Sequence, residues 1–299
     1  MANKKKAAQG KVPAVKPATS VSAKAKGGKP TLTPAQRRAK AQADQRAQAN
    51  WQRTKRLLIV VAIAVGVTIV AIVIGVLVNN ARQAERDKET EGNTAGQITP
   101  PNATKDKSAI ISNPAVTNAA LTVNLHFDYQ CTACASLEAI VGPTLERLAA
   151  AGDISLHYNI HTFMDAKQGN TASTRAAMAA TCADTVGKFQ AYHNVVFANY
   201  GSGYSEENLR NGYAIQAGMS GEDLTTFQAC VDNKATSQFV RDMNAKNSGI
   251  LSADFADSKG VWGTPTVIVN GKAASTSRMQ TAAQDQAELL DYLKQVAGV

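Results

Sequence analysis

Twenty-two consecutive residues, Leu57 to Val78, carry no charge, and Thr68 is their only polar side chain. As a helix at 1.5 Å per residue they span roughly 33 Å, enough to cross a hydrocarbon core of about 30 Å. A buried core helix is usually shorter and keeps one polar face. A cleaved signal peptide has an apolar stretch of about 7–15 residues behind a short basic start. Here 56 residues precede the run, and VLVNNARQ makes a poor cleavage site. The expectation is one uncleaved transmembrane helix over 57–78.

That run divides the charge. The chain has 299 residues and a formal charge of +9. Residues 1–56 hold 15 Lys/Arg against Asp44 alone, while residues 57–299 hold 17 Lys/Arg against 22 Asp/Glu. The basic excess therefore lies wholly before the span, with Arg53, Lys55 and Arg56 beside it. Arg82, Glu85, Arg86, Asp87, Lys88, Glu89 and Glu91 follow it with mixed sign. The positive-inside rule puts the N-terminus in the cytoplasm and residues 79–299 outside, and Trp51 suits an interfacial anchor. The basic tail reads as a topology signal attracted to anionic lipid. Nucleic-acid binding is not expected, because no aromatic residues are interleaved for base stacking. Residues 1–30 should be disordered, and a helix should start with Thr33 as cap and Pro34 in its first turn.

Beyond the span, residues 79–108 are polar, include Pro100-Pro101 and read as a stalk. The remaining 109–299 are enough for one domain with a substantial core. Leu121–Phe127 alternates apolar and polar residues, as a strand does. The next segment has helical spacing (Leu137, Ile140, Val141, Leu145, Leu148), with Pro143 expected to kink the helix and Gly152 to end it. Ile154–Ile160 alternates again, completing a βαβ unit. From about 165 to 257 the pattern is helical, with breaks at Gly187, Gly201–Gly203, Gly218–Gly221 and around Lys234. Strand character returns at Thr266–Val269 before Asn270-Gly271, a two-residue hairpin signal. A final helix is expected over about Thr281–Val296. The fold class is α/β: a small mixed sheet interrupted by an inserted helical domain.

Cys131-Thr132-Ala133-Cys134 falls where a strand ends and a helix begins. A thiol there faces unpaired amides and the positive end of the helix dipole, and both favour the thiolate that attacks disulfides. Cys131, nearer the helix start, is the expected attacking thiol, and Cys134, one turn inside, the resolving one. A c-type haem site needs His after the second Cys, and position 135 is Ala. A zinc site needs two further ligands, and no second close pair exists. Neither metal nor cofactor is expected, and a purely structural pair is the remaining alternative. The four histidines, including His193 in YHNVVF, read as packed or surface residues.

Trp262-Gly263-Thr264-Pro265 leads into the Thr266–Val269 strand. Alone, such a proline can simply mark the first residue of a strand. Beside a strand–CxxC–helix unit it is similar to the cis-proline loop of thioredoxin-fold proteins. Together FDYQCTAC, AATCADTVGKFQAYHNVVFANY, FQACV and WGTPTVIVNG resemble DsbA-like thiol–disulfide oxidoreductases, most nearly the membrane-anchored actinobacterial type. The resemblance covers about residues 109–299 and implies a thioredoxin fold with a helical insertion. It implies Cys131 as nucleophile, Cys134 as resolving thiol, and Thr264 and Pro265 as the loop facing substrate. It also implies reduced exported proteins as substrates and a quinone-linked membrane partner that re-oxidises the pair.

The sequence departs from that family at several positions. Many relatives have Pro after the first Cys, and strongly oxidising ones often have His before the second; here these are Thr132 and Ala133. Some carry an acid six residues before the first Cys, where Leu125 stands. Asp128 matches a common family acid and reads either as an aid to proton transfer or as a strand-end turn residue. With Cys131 and Cys134 a redox pair, Cys182 and Cys230 remain, as a structural disulfide in an oxidising compartment or as two buried free thiols. The expected activity is disulfide insertion into exported proteins. The alternatives are a reductase or isomerase of the same fold and a tethered substrate-binding or chaperone module.

Overall fold

The computed structural model describes residues 32–116 and 118–299, so the expectation of disorder over 1–30 falls outside the described residues. The chain divides into two units, residues 1–73 and 74–299. The first helix, α1 (Pro34–Thr90), includes the whole apolar run. It starts with a reciprocal cap: Gln36 N donates to Thr33 Oγ1 at 3.4 Å and Thr33 N to Gln36 Oε1 at 3.0 Å. The large apolar side chains from Leu57 to Val78 are exposed. A contiguous exposed apolar surface of this length matches a candidate membrane span.

In the second unit, five strands carry the site: β1 (Ile110–Ile111), β2 (Leu121–Asp128), β3 (Ile154–His161), β4 (Thr266–Val269) and β5 (Lys272–Ala274). Their order is β1-β3-β2-β4-β5. β2 and β3 pair in parallel, with Leu121 opposite Ile154 and Asp128 opposite His161. The remaining pairings are antiparallel. A parallel pair needs a crossover, and α2 (Thr132–Ala151) supplies it. The helix runs on through Pro143 and ends at Gly152, whose φ of 85° suits the left-handed cap.

Between β3 and β4 lie α3 (Met164–Gln168), α4 (Ala172–Asp184), α5 (Phe189–Ala198), α6 (Tyr213–Gln216), α7 (Gly221–Asp232) and α8 (Ser237–Asp254). One π-turn, Asn208–Gly212, precedes α6. After β5 come α9 (Thr276–Ala282) and α10 (Gln286–Ala297). The single helix expected over about Thr281–Val296 is therefore two. Asp285 separates them, its Oδ1 accepting from Ala287 N at 2.7 Å and Glu288 N at 3.1 Å to cap α10.

The alternating face of β2, Leu121, Val123, Leu125 and Phe127, is buried. The opposite face changes along the strand: Thr122 and Asn124 are partly exposed, whereas His126 and Asp128 are buried. The corresponding face of β3 meets α8, where Asn159 Nδ2 lies 3.4 Å from Asn247 Oδ1. Both faces of the sheet are thus covered near the C-terminal ends of β2 and β3. Asn270 and Gly271 turn β4 into β5 with φ of 46° and 83°, the conformation that favours this dipeptide.

The segment 79–108, read from sequence as one polar stalk, is not uniform. α1 continues to Thr90, and the chain from Gly92 onward is bonded to the insertion. Gly92 N donates to Ser237 Oγ at 3.1 Å, Gln238 N to Gln97 Oε1 at 2.8 Å and Ile98 N to Ala235 O at 2.8 Å. Asn102 donates twice to Asp184. A Cβ at position 92 would lie 2.4 Å from the Lys234 carbonyl, so this approach requires glycine. Side chains that look solvated in the sequence satisfy backbone and carboxylate groups here.

Candidate active site

The end of β2 leads through Tyr129 and Gln130 to Cys131, the N-cap of α2. Cys131 has extended dihedrals (φ −84°, ψ 116°), and its sulfur accepts from Cys134 N at 3.4 Å. A side chain that would ordinarily be a Ser or Asp cap is here a thiol, so the sulfur itself takes the amide of the first helical turn. Cys131 is 8% exposed and Cys134 1%; both are free thiols. The hydrogen bond from the Cys134 thiol, helped by the Thr264 side chain and the Cys134 and Ala133 amides, outweighs burial and lowers the Cys131 thiol from 9.0 to about 6. Burial, and then the bond to Cys131, push the Cys134 thiol well above its usual range. One sulfur is arranged to be a thiolate near neutral pH and the other to keep its proton.

The Thr264–Pro265 peptide bond is cis. The Thr264 carbonyl accepts from the Cys131 thiol at 3.3 Å, so the loop before β4 lies directly against the first cysteine. The structure thus brings Cys131, Cys134, Thr264 and Pro265 together across a sequence gap of 133 residues. Trp262, just upstream, packs its ring on His161 at 5.5 Å and Phe163 at 5.3 Å. His126 Nδ1 and His161 Nε2 are 3.1 Å apart beneath this loop. Burial lowers the two imidazoles to about 4 and about 3 respectively.

Asp128 is fully buried at the end of β2. Its carboxylate accepts from Gln130 N at 2.9 Å, Ser173 Oγ at 2.5 Å and Met164 N at 3.0 Å. Burial nevertheless raises the carboxyl to about 7, against these three donated bonds. Ser173 is shared, since Gln130 Nε2 reaches both its hydroxyl at 2.7 Å and Asp165 Oδ1 at 2.8 Å. The turn that carries Cys131 is therefore fastened to α3 and α4 of the insertion. Asp128 does serve as a strand-end turn residue, and its bonds lead into the insertion.

Cys182 on α4 and Cys230 on α7 are joined by a disulfide with Cα atoms 5.7 Å apart, away from the CxxC pair. His193 is packed rather than exposed: Nδ1 meets the Tyr129 hydroxyl at 3.0 Å and Nε2 lies 3.4 Å from Glu138 Oε1. No group of three or more His, Cys, Asp or Glu side chains fit to hold a metal occurs among the described residues.

A family model described as "Thioredoxin" matches residues 116–293, more than half of the chain. The chain belongs to this family. No curated protein matches it. Among solved structures, the MdbA thiol-disulfide oxidoreductase from Corynebacterium diphtheriae is 20% identical, with a TM-score of 0.51 over 64% of this chain and 96% of that one. The MdbA thiol-disulfide oxidoreductase from Actinomyces oris is 17% identical, with a TM-score of 0.51 over 70% and 96%. These likenesses extend to the fold, thioredoxin strands with a helical insertion. Within it, the CxxC at the start of α2 and the cis-Pro loop before β4 stand side by side in the present chain.

The sequence reading missed two contributors to this neighbourhood. Tyr200, in the loop after α5, places its hydroxyl 2.6 Å from Thr132 Oγ1. Gln130 ties the strand end to Asp165, Asn170 and Ser173. Both lie inside stretches that carry the family resemblance, but neither role has a local signal, because each acts through a partner about 35–70 residues distant in sequence.

Proposed function

We propose that this chain is a membrane-tethered thiol–disulfide oxidoreductase that inserts disulfides into exported proteins. The observation that carries the reading is the asymmetry of the pair: Cys131 lowered to about 6, Cys134 raised, both against the cis Thr264–Pro265 loop. In the oxidised enzyme a substrate thiolate attacks the Cys131 sulfur. The Cys131–Cys134 bond breaks, and its electron pair leaves on Cys134, which takes up a proton. A second substrate thiolate then attacks the substrate sulfur of the mixed disulfide and releases Cys131 as a thiolate. The substrate loses two electrons and gains a disulfide; the CxxC becomes a dithiol. A low Cys131 pKa helps twice, as a good leaving group and as stabilisation of the reduced enzyme, which makes its disulfide oxidising.

The two MdbA proteins that share the fold are thiol-disulfide oxidoreductases, which supports the same chemistry here. The span over 57–78 and the flanking charges support an anchor with the catalytic domain outside. The quinone-linked re-oxidant rests on the family resemblance.

Cys131→Ser is expected to abolish oxidation of a reduced model protein, and Cys134→Ser, offered a disulfide-bonded protein, to accumulate a mixed disulfide as Cys131 attacks that disulfide and no second thiol resolves it. Undiminished turnover by Cys131→Ser would sink the assignment. Thiol trapping in cells sets the direction. A mostly disulfide pair supports the oxidase and a mostly dithiol pair the reductase or isomerase. A pair closed to reductant supports a structural bridge.

A further inference from the structure

The inserted helical domain reaches the CxxC through one side chain. Tyr200 follows α5, and Gly201 and Gly203, with φ of 87° and 77°, turn the loop back towards the β2–α2 turn. The Tyr200 hydroxyl lies 2.6 Å from Thr132 Oγ1 and 3.4 Å from the Gln130 carbonyl. Those residues flank Cys131 on either side. A phenol has one proton to donate and lone pairs to accept with. It satisfies both partners by donating to the Gln130 carbonyl and accepting from the Thr132 hydroxyl. Tyr204, from the same loop, donates to the Tyr129 carbonyl at 2.9 Å. The loop therefore grips three positions of the nucleophile's turn, 129, 130 and 132.

Thr132 is the first residue of α2 and is exposed. Nothing else bonds its side chain among the described residues, whereas its backbone carbonyl accepts from Ser136 Oγ at 3.1 Å. Where Pro follows the first cysteine, its ring restricts the backbone at that position. Threonine has no ring, and here the bond to Tyr200 supplies the restraint. The restraint matters because the Cys131 sulfur accepts the Cys134 amide at 3.4 Å across that residue. A first turn free to move would lengthen this bond.

We propose that Tyr200 is a positioning residue for Cys131: its hydroxyl clasps the residues on both sides of the cysteine and holds the sulfur under the first amides of α2. The inference rests on Cys131 being the exchanging thiol. It makes the insertion a contributor to the reactivity of the thioredoxin-fold half.

The experiment titrates the Cys131 thiolate by its ultraviolet absorbance and measures the equilibrium with glutathione. In that equilibrium the enzyme dithiol plus one glutathione disulfide gives the enzyme disulfide plus two glutathione thiols. Tyr200→Phe keeps the ring and removes the hydroxyl. It should raise the titration midpoint by about 0.3–1 pH unit, the range one modest hydrogen bond commands. The glutathione equilibrium should shift about two- to tenfold toward the enzyme disulfide. Thr132→Val should give the same shifts, Thr132→Ser should keep the parent values, and the double variant should go no further than either single one. A Tyr200→Phe midpoint equal to the parent's, or additive shifts in the double variant, overturns the proposal. Thr132→Val, at an exposed side chain, decides the matter if Tyr200→Phe does not fold. A parent protein that does not exchange with glutathione at all would overturn the underlying reading instead.

Discussion

At Cys131 a thiol takes the place of the helix cap. Its thiol is lowered to about 6, by the Cys134 thiol first, the Thr264 side chain next and then the Cys134 and Ala133 amides, against burial. Alkylation of the reduced protein should therefore rise with pH through a midpoint of about 6 and level off about one to two units higher, with Cys134 unmodified. A midpoint near 9 would refute the thiolate. The sign for stability follows from linkage. A thiol depressed in the folded state stabilises the reduced protein increasingly as pH rises from about 6 toward 9, and that stabilisation is lost as pH falls through about 6. Cys131 and Cys134 were legible in the sequence because the CxxC sits at a strand-to-helix switch that periodicity exposes. Thr264 and Pro265 were legible only through resemblance, since a proline before a strand is ambiguous by itself. Tyr200 closes one of the stretches that carry the resemblance, yet its role exists only once the α5 loop folds back on Thr132.

Among the elements, α4 and α7 are joined covalently. The Cys182–Cys230 bridge closes 48 residues of sequence separation. Replacing both cysteines by alanine should cost about 3–4 kcal/mol in urea unfolding while leaving CxxC exchange with a small-molecule disulfide intact. A loss under about 1 kcal/mol would mean that the packing of α4 on α7 holds this region without the bond. β2, α2, β3 and β4 were read nearly to the residue because each carries a strong period or a terminal signal. β1 was missed, since two residues cannot show a period. The helix expected near the C-terminus divides at Asp285 because local capping competes with a continuous apolar pattern, a competition that hydrophobic spacing does not register. The segment 92–102 was misjudged for a related reason. Gln97 and Asn102 are polar in order to bond the α7–α8 turn and Asp184, not to face water.

For the molecule as a whole, the anchor and the catalytic domain are separable claims. Removing residues 57–78 should move the protein from the membrane to the soluble fraction while the CxxC keeps its exchange activity. Retention in the membrane fraction would refute the span. The sequence determines the apolar run and its charge asymmetry, the βαβ core and the position of the CxxC, because these depend on neighbours within a few turns of chain. The tertiary structure decides what surrounds the pair. It sets the Thr264 carbonyl against Cys131, buries Asp128 against Ser173, pairs His126 with His161, and brings the Tyr200 hydroxyl to the nucleophile's turn. Each of these joins residues tens of positions apart. Hydrogen bonds and desolvation act over a few ångströms in space, and a one-dimensional pattern does not encode that distance.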